Sequence, residues 1–213
     1  SGRDGKKLSA FDLGFIIGPC INAAGRLGDA KTSLEFLLET DSFKANERAI
    51  ELLNINNTRK DMTEQGTKTA IGLLETSDHL LMGAVPETGV AALSDRVLVM
   101  YIPKLHESLV GIIAGRIKER YYRPVLLFTD SEEEGIIKGS GRSIEGYNMY
   151  DEINKCSDYF TKFGGHEMAA GFSMEKRNLA RLREKMNANC TLDEKLLTPK
   201  LRIDVPMPLD YVS

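Results

Sequence analysis

Four short clusters in the sequence combine glycine with serine, asparagine, arginine or histidine, residue types that suit the binding of phosphate groups. Glycine lets a ligand approach the backbone closely, hydroxyl and amide groups donate hydrogen bonds, and arginine offers a two-pronged donor. We therefore expect this chain to contact a ligand that carries phosphate. The clusters lie at residues 18–28, 106–111, 138–143 and 163–171.

The third cluster follows a predicted strand and combines Ser140, Gly141, Arg142 and Ser143. Two hydroxyls and one guanidinium beside a glycine predict a phosphate contact, and a plain glycine-rich turn is the alternative. The cluster lacks the third glycine of the dinucleotide-binding pattern and the Gly-Lys-Ser/Thr of a Walker loop. Neither of those nucleotide sites is therefore expected.

The fourth cluster places Gly164 and Gly165 directly before His166. Paired glycines free the backbone to wrap around an anion, and an imidazole can donate or accept a hydrogen bond near neutral pH. A histidine with a purely structural role is the alternative. A zinc site of the H-E-x-x-H type is excluded, because Ala170 stands where the second histidine is needed.

The first two clusters offer further candidates. Asn22 and Arg26 lie among small residues that would leave the guanidinium accessible, and a turn with a solvated arginine is the alternative. His106 and Ser108 stand at the predicted start of a helix, where unpaired N–H groups and the helix dipole attract anions. An ordinary loop histidine and an N-cap serine are the alternatives for these two.

The remaining metal-ligating residue types do not predict a metal site in this chain. The aspartates are scattered singly, without the look of a two-metal phosphodiesterase centre. The three cysteines are odd in number and show no C-x-x-C spacing. This pattern argues against a zinc site or a disulfide framework and favours a reducing cytoplasm.

The composition is that of an ordinary globular protein: 213 residues, 42% apolar and 28% charged, with a formal net charge of −3. Because the chain is not basic as a whole, any contact with nucleic acid must come from local clusters of positive charge. The longest apolar run, residues 97–102, is far shorter than the roughly 20 residues of a membrane span, so no membrane contact is expected.

Periodicity predicts an α/β fold: a long helix that connects two bodies, followed by an α/β sandwich at residues 80–190. The long helix covers residues 43–76, with its polar middle (54–68) in water and a possible kink or break at Gly66. A strand expected at 201–205 has no partner in the chain, which predicts a further, truncated domain. The other predicted helices are 31–39, 108–121, 149–160 and 175–189, and the other strands are 96–102, 124–128, 135–139 and 169–174.

Four motifs in order carry a resemblance to a known family: residues 21–26 (Ile-Asn-Ala-Ala-Gly-Arg), 106–124, 139–143 (Gly-Ser-Gly-Arg-Ser) and 163–171 (Phe-Gly-Gly-His-Glu-Met-Ala-Ala-Gly). Together they resemble the C-terminal portion of RecJ-type single-stranded-DNA-specific exonucleases of the DHH phosphoesterase family. The sequence departs from the family pattern in two places: Cys20 replaces a frequent Arg, and Leu105-His-Glu-Ser replaces a frequent Trp-His-Pro-Gly.

The resemblance implies how this α/β fold is divided: a long connecting helix plus a mixed-sheet α/β substrate-binding domain, flanked by truncated neighbours. Residues 1–40 correspond to the C-terminal tail of a DHH catalytic domain, and residues 41–78 to the connecting helix. Residues 79–192 correspond to the DHH-associated substrate-binding domain, and residues 198–213 to the start of an oligonucleotide-binding barrel. No cofactor is expected in this fragment, whereas Mn²⁺ or Mg²⁺ is expected in the missing DHH domain.

The resemblance also implies an activity: hydrolysis of phosphodiesters of single-stranded DNA, from 5′ to 3′, in DNA repair and recombination. The fragment alone is expected to be inactive. The alternatives are an oligoribonuclease or cyclic-dinucleotide phosphodiesterase of the same superfamily, and a noncatalytic nucleic-acid-binding appendage. The expected partners are single-stranded DNA or short oligonucleotides, in the cytoplasm, with protein partners unspecified.

The family's motifs assign roles to residues of this chain. Arg142 and His166 are implied to be catalytic, by clamping phosphate and offsetting charge in the transition state. The residues implied to bind substrate phosphate are Asn22, Arg26, His106, Ser140, Gly141, Ser143, Gly164 and Gly165.

Overall fold

The computed structural model describes residues 7–79, 93–200 and 204–205. All regular elements of the first stretch, residues 7–79, are helices. A π-helical turn, Asp12–Ile17, leads directly into helix α1 (Gly18–Leu27), which is followed by α2 (Ala30–Leu38) and α3 (Ser42–His79). Helices α1 and α2 both pack against α3.

Aspartates define the starts of the second and third helices. The Asp29 carboxylate accepts a hydrogen bond from the backbone N–H of Lys31 at 2.8 Å. The Asp41 carboxylate accepts from the backbone N–H groups of Phe43 and Lys44, at 2.9 and 3.0 Å. Each aspartate thus satisfies N–H groups that have no partner within the helix.

Helix α3 is 38 residues long and runs unbroken through Gly66, so the expected break is absent. A Cβ built on Gly66 would lie 2.5 Å from Ile113 Cδ1 and 3.0 Å from Leu105 Cδ2. The glycine therefore permits close helix packing. The prediction that the polar middle lies in water is wrong on one face, because Asn56 and Thr63 are 3% and 0% exposed.

The second described stretch alternates strands and helices. It also contains two single 3₁₀ turns, Ser157–Tyr159 and Lys176–Asn178. The regular elements are β1 (Leu98–Tyr101), α4 (Glu107–Tyr121), β2 (Val125–Asp130), β3 (Ile136–Arg142), α5 (Met149–Asn154), β4 (Phe160–His166), β5 (Ala169–Glu175) and α6 (Leu179–Asn189).

The five strands form one mixed sheet in the order β1-β2-β3-β5-β4. Strands β1 and β2 are parallel and are joined through α4, because a parallel pair needs a crossover connection. The other neighbours are antiparallel. The sheet, the long helix and the α/β class confirm the fold predicted from the sequence.

Apolar side chains cover part of one face of the sheet, at β1 and β2, and the whole of the other face. On one face, Val125 and Leu127 pack with residues of α4 and with Ala70 and Leu74 of α3. On the other face, Leu126 and Phe128 pack with residues of α5 and α6. The strand residues alternate between the two sides, as a pleated strand requires.

Several element boundaries differ from the predictions. The helix predicted at 149–160 is wrong beyond Asn154, because residues 160–166 form strand β4. The helix predicted at 175–189 begins only at Leu179, and β3 extends three residues past its predicted end, to Arg142. Most of the strand predicted at 201–205 lies outside the described residues. The predicted division of the chain into four segments stays a prediction.

None of the helices in the described part of the chain combines the length and the apolar character that a membrane span needs.

Candidate phosphate-binding site

Strands β3, β5 and β4 carry small and polar side chains on the side of the sheet where α4 lies. Arg142 pairs with Ala169, and Ala169 pairs with His166, so these three side chains point to the same side of the sheet. Two residues along each strand, Ser140, Gly171 and Gly164 form the next row, followed by Lys138, Ser173 and Lys162. We call these nine residues the open face.

The open face brings Arg142 and His166 together. They are separated by two strand spacings, roughly 10 Å between their Cα atoms. Arg142 is half-buried, and His166 is exposed. Both side chains are long enough to reach a phosphate group that lies between them.

Helix α4 holds the Arg142 side chain in place. A Cβ built on Gly111 of α4 would lie 2.5 Å from Arg142 Nη2 and 3.1 Å from Ser140 Oγ. Arg142 Nη1 donates to Ser140 Oγ and to the Gly141 carbonyl, both at 2.7 Å. The guanidinium is therefore fixed across the first turns of α4, next to the dipole-positive end of that helix.

The charge of Arg142 is not balanced by a carboxylate ion pair among the described residues. Burial lowers the pKa of Arg142, and the nearby positive charge of Arg26 lowers it further. The guanidinium still stays charged, because an arginine cannot be deprotonated in a protein. A partly buried guanidinium without an ion-pair partner binds an oxyanion strongly.

Two further arginines, which the sequence did not single out, extend this positive region. Burial, followed by the charges of Arg26 and Arg116, lowers the pKa of Arg59 on α3. Arg59 Nε donates to Asn56 Oδ1 at 3.1 Å. The guanidinium groups of Arg26, Arg59, Arg116 and Arg142 thus come from four different elements into one region.

His166 has a defined tautomer when it is neutral. Its Nδ1 accepts a hydrogen bond from the backbone N–H of Met168 at 3.3 Å. The proton must then lie on Nε2, since one ring nitrogen of a neutral imidazole accepts and the other donates. His166 therefore presents an N–H donor at the open face, and a phosphate oxygen is a suitable acceptor.

His106 links helix α1 to α4. Ser108 Oγ donates to the carbonyl of Arg26 at 2.8 Å, and Arg26 Nη1 donates to the carbonyl of Ser108 at 3.2 Å. His106 Nδ1 lies 2.8 Å from Ser108 Oγ and must be the donor, because the hydroxyl proton is already used. In this structure His106 and Ser108 position Arg26, and Ser108 does not cap the helix with its side chain.

Asn22 and Arg26 are both exposed on α1 and lie four residues apart. Side chains with that spacing point to the same side of a helix. Asn22 therefore flanks Arg26.

The Ser143 side chain does not lie on the open face, and its expected phosphate contact stays a prediction. The side chain is 1% exposed, and its hydroxyl donates to the Tyr147 carbonyl. Its backbone N–H donates to the Met168 carbonyl at 2.9 Å. Ser143 therefore stabilises the turn that follows β3.

Two of the predicted glycines face the other side of the sheet. A Cβ on Gly141 would lie 3.0 Å from Met149 Sδ, among the residues of α5. A Cβ on Gly165 would lie 2.3 Å from the Ala169 carbonyl oxygen and 2.6 Å from Ala170 Cα. These glycines allow close packing, and their phosphate contacts, which backbone groups would make, stay predictions.

Gly164 differs from its neighbour. A Cβ built on Gly164 or on Gly171 would meet no atom within 4 Å. The two glycines are paired in the middle row of the open face. They leave an unobstructed floor between the row of Arg142 and the row of Lys138.

The residues of the open face do not suit a metal ion. No group of three or more His, Cys, Asp or Glu side chains within the described ranges could hold one. The available groups are guanidinium, ammonium, hydroxyl and a single imidazole, most of which repel cations. The arrangement is instead chemically suited to hold an anion.

Comparison with protein families gives a match in the second described stretch. Residues 94–191, which contain the whole sheet, match the family model described as "DHHA1 domain". This part of the chain is therefore similar to a DHHA1 domain.

The chain as a whole is similar to the RecJ exonucleases, and the predicted resemblance is confirmed. It is 39% identical over 223 residues to "Single-stranded-DNA-specific exonuclease RecJ" of Salmonella typhimurium, which covers 100% of this chain and 36% of that protein. The RecJ of Bacillus subtilis is 32% identical over 215 residues, covering 100% of this chain and 26% of the relative. The chain thus spans only a minor part of the length of these relatives.

Solved structures agree with the sequence comparison. The crystal structure of RecJ in complex with Mg²⁺ from Thermus thermophilus has a TM-score of 0.68 and 30% identity to this chain. The match covers 86% of this chain and 26% of that protein.

Proposed function

We propose that this chain is the substrate-holding part of an exonuclease that hydrolyses phosphodiesters of single-stranded DNA, from the 5′ end, in DNA repair and recombination. The observation that carries the proposal is the open face, where Arg142, Ser140 and His166 lie on one side of the sheet and no described carboxylate forms an ion pair with Arg142. The similarity to RecJ proteins supports single-stranded DNA as the substrate.

The chemistry of the open face defines what these residues do. Arg142 and Arg26 supply positive charge, which attracts the phosphate and offsets the negative charge that grows on its oxygens during hydrolysis. The Nε2–H of His166 donates to one of those oxygens from the opposite side. Ser140 accepts a hydrogen bond from Arg142 and fixes the direction in which the guanidinium points.

A divalent metal ion, Mn²⁺ or Mg²⁺, would activate the attacking water when bound, and it would be held by residues outside this chain. Solved RecJ structures contain Mg²⁺ or Mn²⁺, which supports this division of roles. We also propose a cytoplasmic location and no membrane contact; the free thiols of Cys20, Cys156 and Cys190 fit a reducing compartment.

The test uses the full-length gene product, with a single-stranded DNA labelled at either end. We expect hydrolysis in Mn²⁺ or Mg²⁺ that starts at the 5′ end. Arg142→Ala and His166→Ala should each lower kcat/KM by about a hundredfold, the usual cost of one donor to a charged transition state. Lys185→Ala, on the exposed side of α6, is the matched control and should retain wild-type activity.

The outcomes separate the alternatives. Hydrolysis of dinucleotides but not of longer strands would favour a dinucleotide phosphodiesterase, and binding without hydrolysis would favour a noncatalytic appendage. Wild-type activity in both the Arg142 and the His166 variant would overturn the proposed site. Residues 1–213 alone should bind single-stranded DNA weakly and hydrolyse none.

A further inference from the structure

Strand β4 contains an irregularity that changes which way its side chains point. Phe160 pairs with Met174, whereas Lys162 pairs with Ser173, so one extra residue, Thr161, is inserted between these pairs. Such a bulge redirects the side chains that follow it. Phe160 and Phe163 can therefore both pack against the apolar core, although they are three residues apart.

The bulge also places Lys162 on the open face. In a regular strand paired from Phe160, Lys162 would lie opposite Phe172 and point toward the core. With the bulge, Lys162 is exposed and stands in one row with Ser173 and Lys138. Within the described chain no carboxylate forms an ion pair with Lys162, whereas Lys138 pairs with Glu107.

The open face thus has two positive rows, one at each end. Arg142 and Lys138 are four residues apart on β3, which is roughly 13 Å along a strand. One phosphate group cannot contact both rows, but two phosphates of one extended nucleic-acid strand can. The floor between the rows is formed by Gly164 and Gly171, over which no side chain projects.

A cavity lies between the start of α4 and strand β3. It measures about 330 Å³ and is lined by Glu107, Ser108, Val110, Lys138, Gly139 and Ser140. The space beside Ser140 and Lys138 is therefore not filled by described protein atoms.

We propose that Lys162, together with Ser173 and Lys138, forms a second phosphate-binding row, which holds a backbone phosphate further along the strand whose reacting end is held by Arg142 and His166. This inference rests on the proposed function. The ligand is the sugar-phosphate backbone of single-stranded DNA, and the row makes the protein favour strands long enough to reach it. On this account, the function of the bulge at Thr161 is to place Lys162 on the open face.

The experiment measures hydrolysis by the full-length gene product of a long single strand and of the shortest single strand that the wild type hydrolyses. Lys162→Ala should raise KM several-fold for the long strand and leave kcat unchanged. Its kinetics on the shortest strand should equal those of the wild type. Lys162→Glu should raise KM further. Lys162→Arg keeps the positive charge and should therefore retain the wild-type KM.

Salt dependence gives a second readout. Each single-strand phosphate that a lysine neutralises contributes about 0.7 to the slope of log affinity against log salt concentration. The slope for the long strand should therefore fall by about 0.7 in Lys162→Ala. It should not change in Lys185→Ala, whose lysine lies on α6, which packs on the opposite face of the sheet.

A wild-type KM and salt slope in Lys162→Glu would overturn the second row, and so would equal losses on long and short strands. Either result would leave the proposed function intact if the wild type degrades single-stranded DNA. If the wild type degrades none, the proposed function fails first. Urea unfolding midpoints equal to that of the wild type would show that the variants are folded, as expected for an exposed side chain.

Discussion

At the scale of single residues, glycines in this protein have two distinct uses. Gly165 and Gly141 let backbone or side-chain atoms approach where a Cβ would collide with them. Gly164 and Gly171 leave a surface empty, since a side chain there would meet nothing in the protein. The sequence Gly164-Gly165 joins both uses in adjacent positions, because successive residues of a strand point to opposite sides.

The two uses predict opposite effects for the same substitution. Gly165→Ala should destabilise the protein by roughly 2 kcal/mol or more, because the new Cβ would collide with backbone atoms of β5. Gly164→Ala should change the free energy of unfolding by less than about 0.5 kcal/mol. Urea denaturation of the two variants measures the difference.

A larger side chain at Gly164 separates stability from substrate binding. Gly164→Leu should fold as well as the wild type and yet raise KM for single-stranded DNA, because the side chain would stand on the floor of the open face. A Gly164→Leu protein with normal KM would show that the substrate does not lie there.

The residue scale also shows what the sequence could predict about the site. Ser140, Arg142 and His166 were found from residue type alone, and the structure brings them to one face. The predicted strand ends at residue 139, before Gly141. In the structure β3 continues to Arg142, and its alternation places Gly141 on the opposite side from Ser140 and Arg142.

At the scale of elements, the long helix α3 shows why polar residues can be misjudged. Its middle is hydrophilic in composition, but Leu52, Asn56, Thr63 and Ala70 share a buried stripe at intervals of four or seven residues, which lie on one face of a helix. Composition over a window hides such a stripe. Arg59 was missed for the same reason, although it lies between Asn56 and Thr63 on the side that faces the positive region.

Two glycines of α3 provide a matched pair for testing how closely helices α3 and α4 pack. Gly72→Ala meets nothing within 4 Å and should stabilise the protein by up to about 1 kcal/mol, the difference in helix propensity. Gly66→Ala gains the same propensity but pushes against Ile113 and Leu105, and overpacking costs about 1–3 kcal/mol.

We therefore expect Gly66→Ala to be less stable than Gly72→Ala by at least about 1 kcal/mol. Thermal or urea unfolding of the two variants checks this. Equal stabilities would mean that α4 does not approach Gly66 as closely as the structure shows.

Strand β4 is the one strand of the sheet that is absent from the elements predicted from the sequence. Its residues do not alternate regularly, because the bulge at Thr161 puts Phe160 and Phe163 on the same side. Glycine at positions 164 and 165 lowers strand propensity further. The pairing with β5 overrides both effects, and this pairing is a long-range property that a local window cannot detect.

At the scale of the whole molecule, the positive region is assembled from elements far apart in the chain. Arg26 comes from α1, Arg59 from α3, Arg116 from α4 and Arg142 from β3. The link from Ser108 to the Arg26 carbonyl ties α1 to the start of α4. A chain with a net charge of −3 can hold an anion because this region concentrates its arginines.

The central claim is that Arg142 and His166 hold the same phosphate. The most direct test is a double-mutant cycle on kcat/KM of the full-length gene product with single-stranded DNA, using Arg142→Ala, His166→Ala and the double variant. The two residues are far enough apart that only a shared partner can couple them. We predict that the double variant loses less transition-state stabilisation than the sum of the single losses, by more than about 0.5 kcal/mol. Losses that add to within about 0.5 kcal/mol would mean that the two side chains act on separate groups, and would contradict the account.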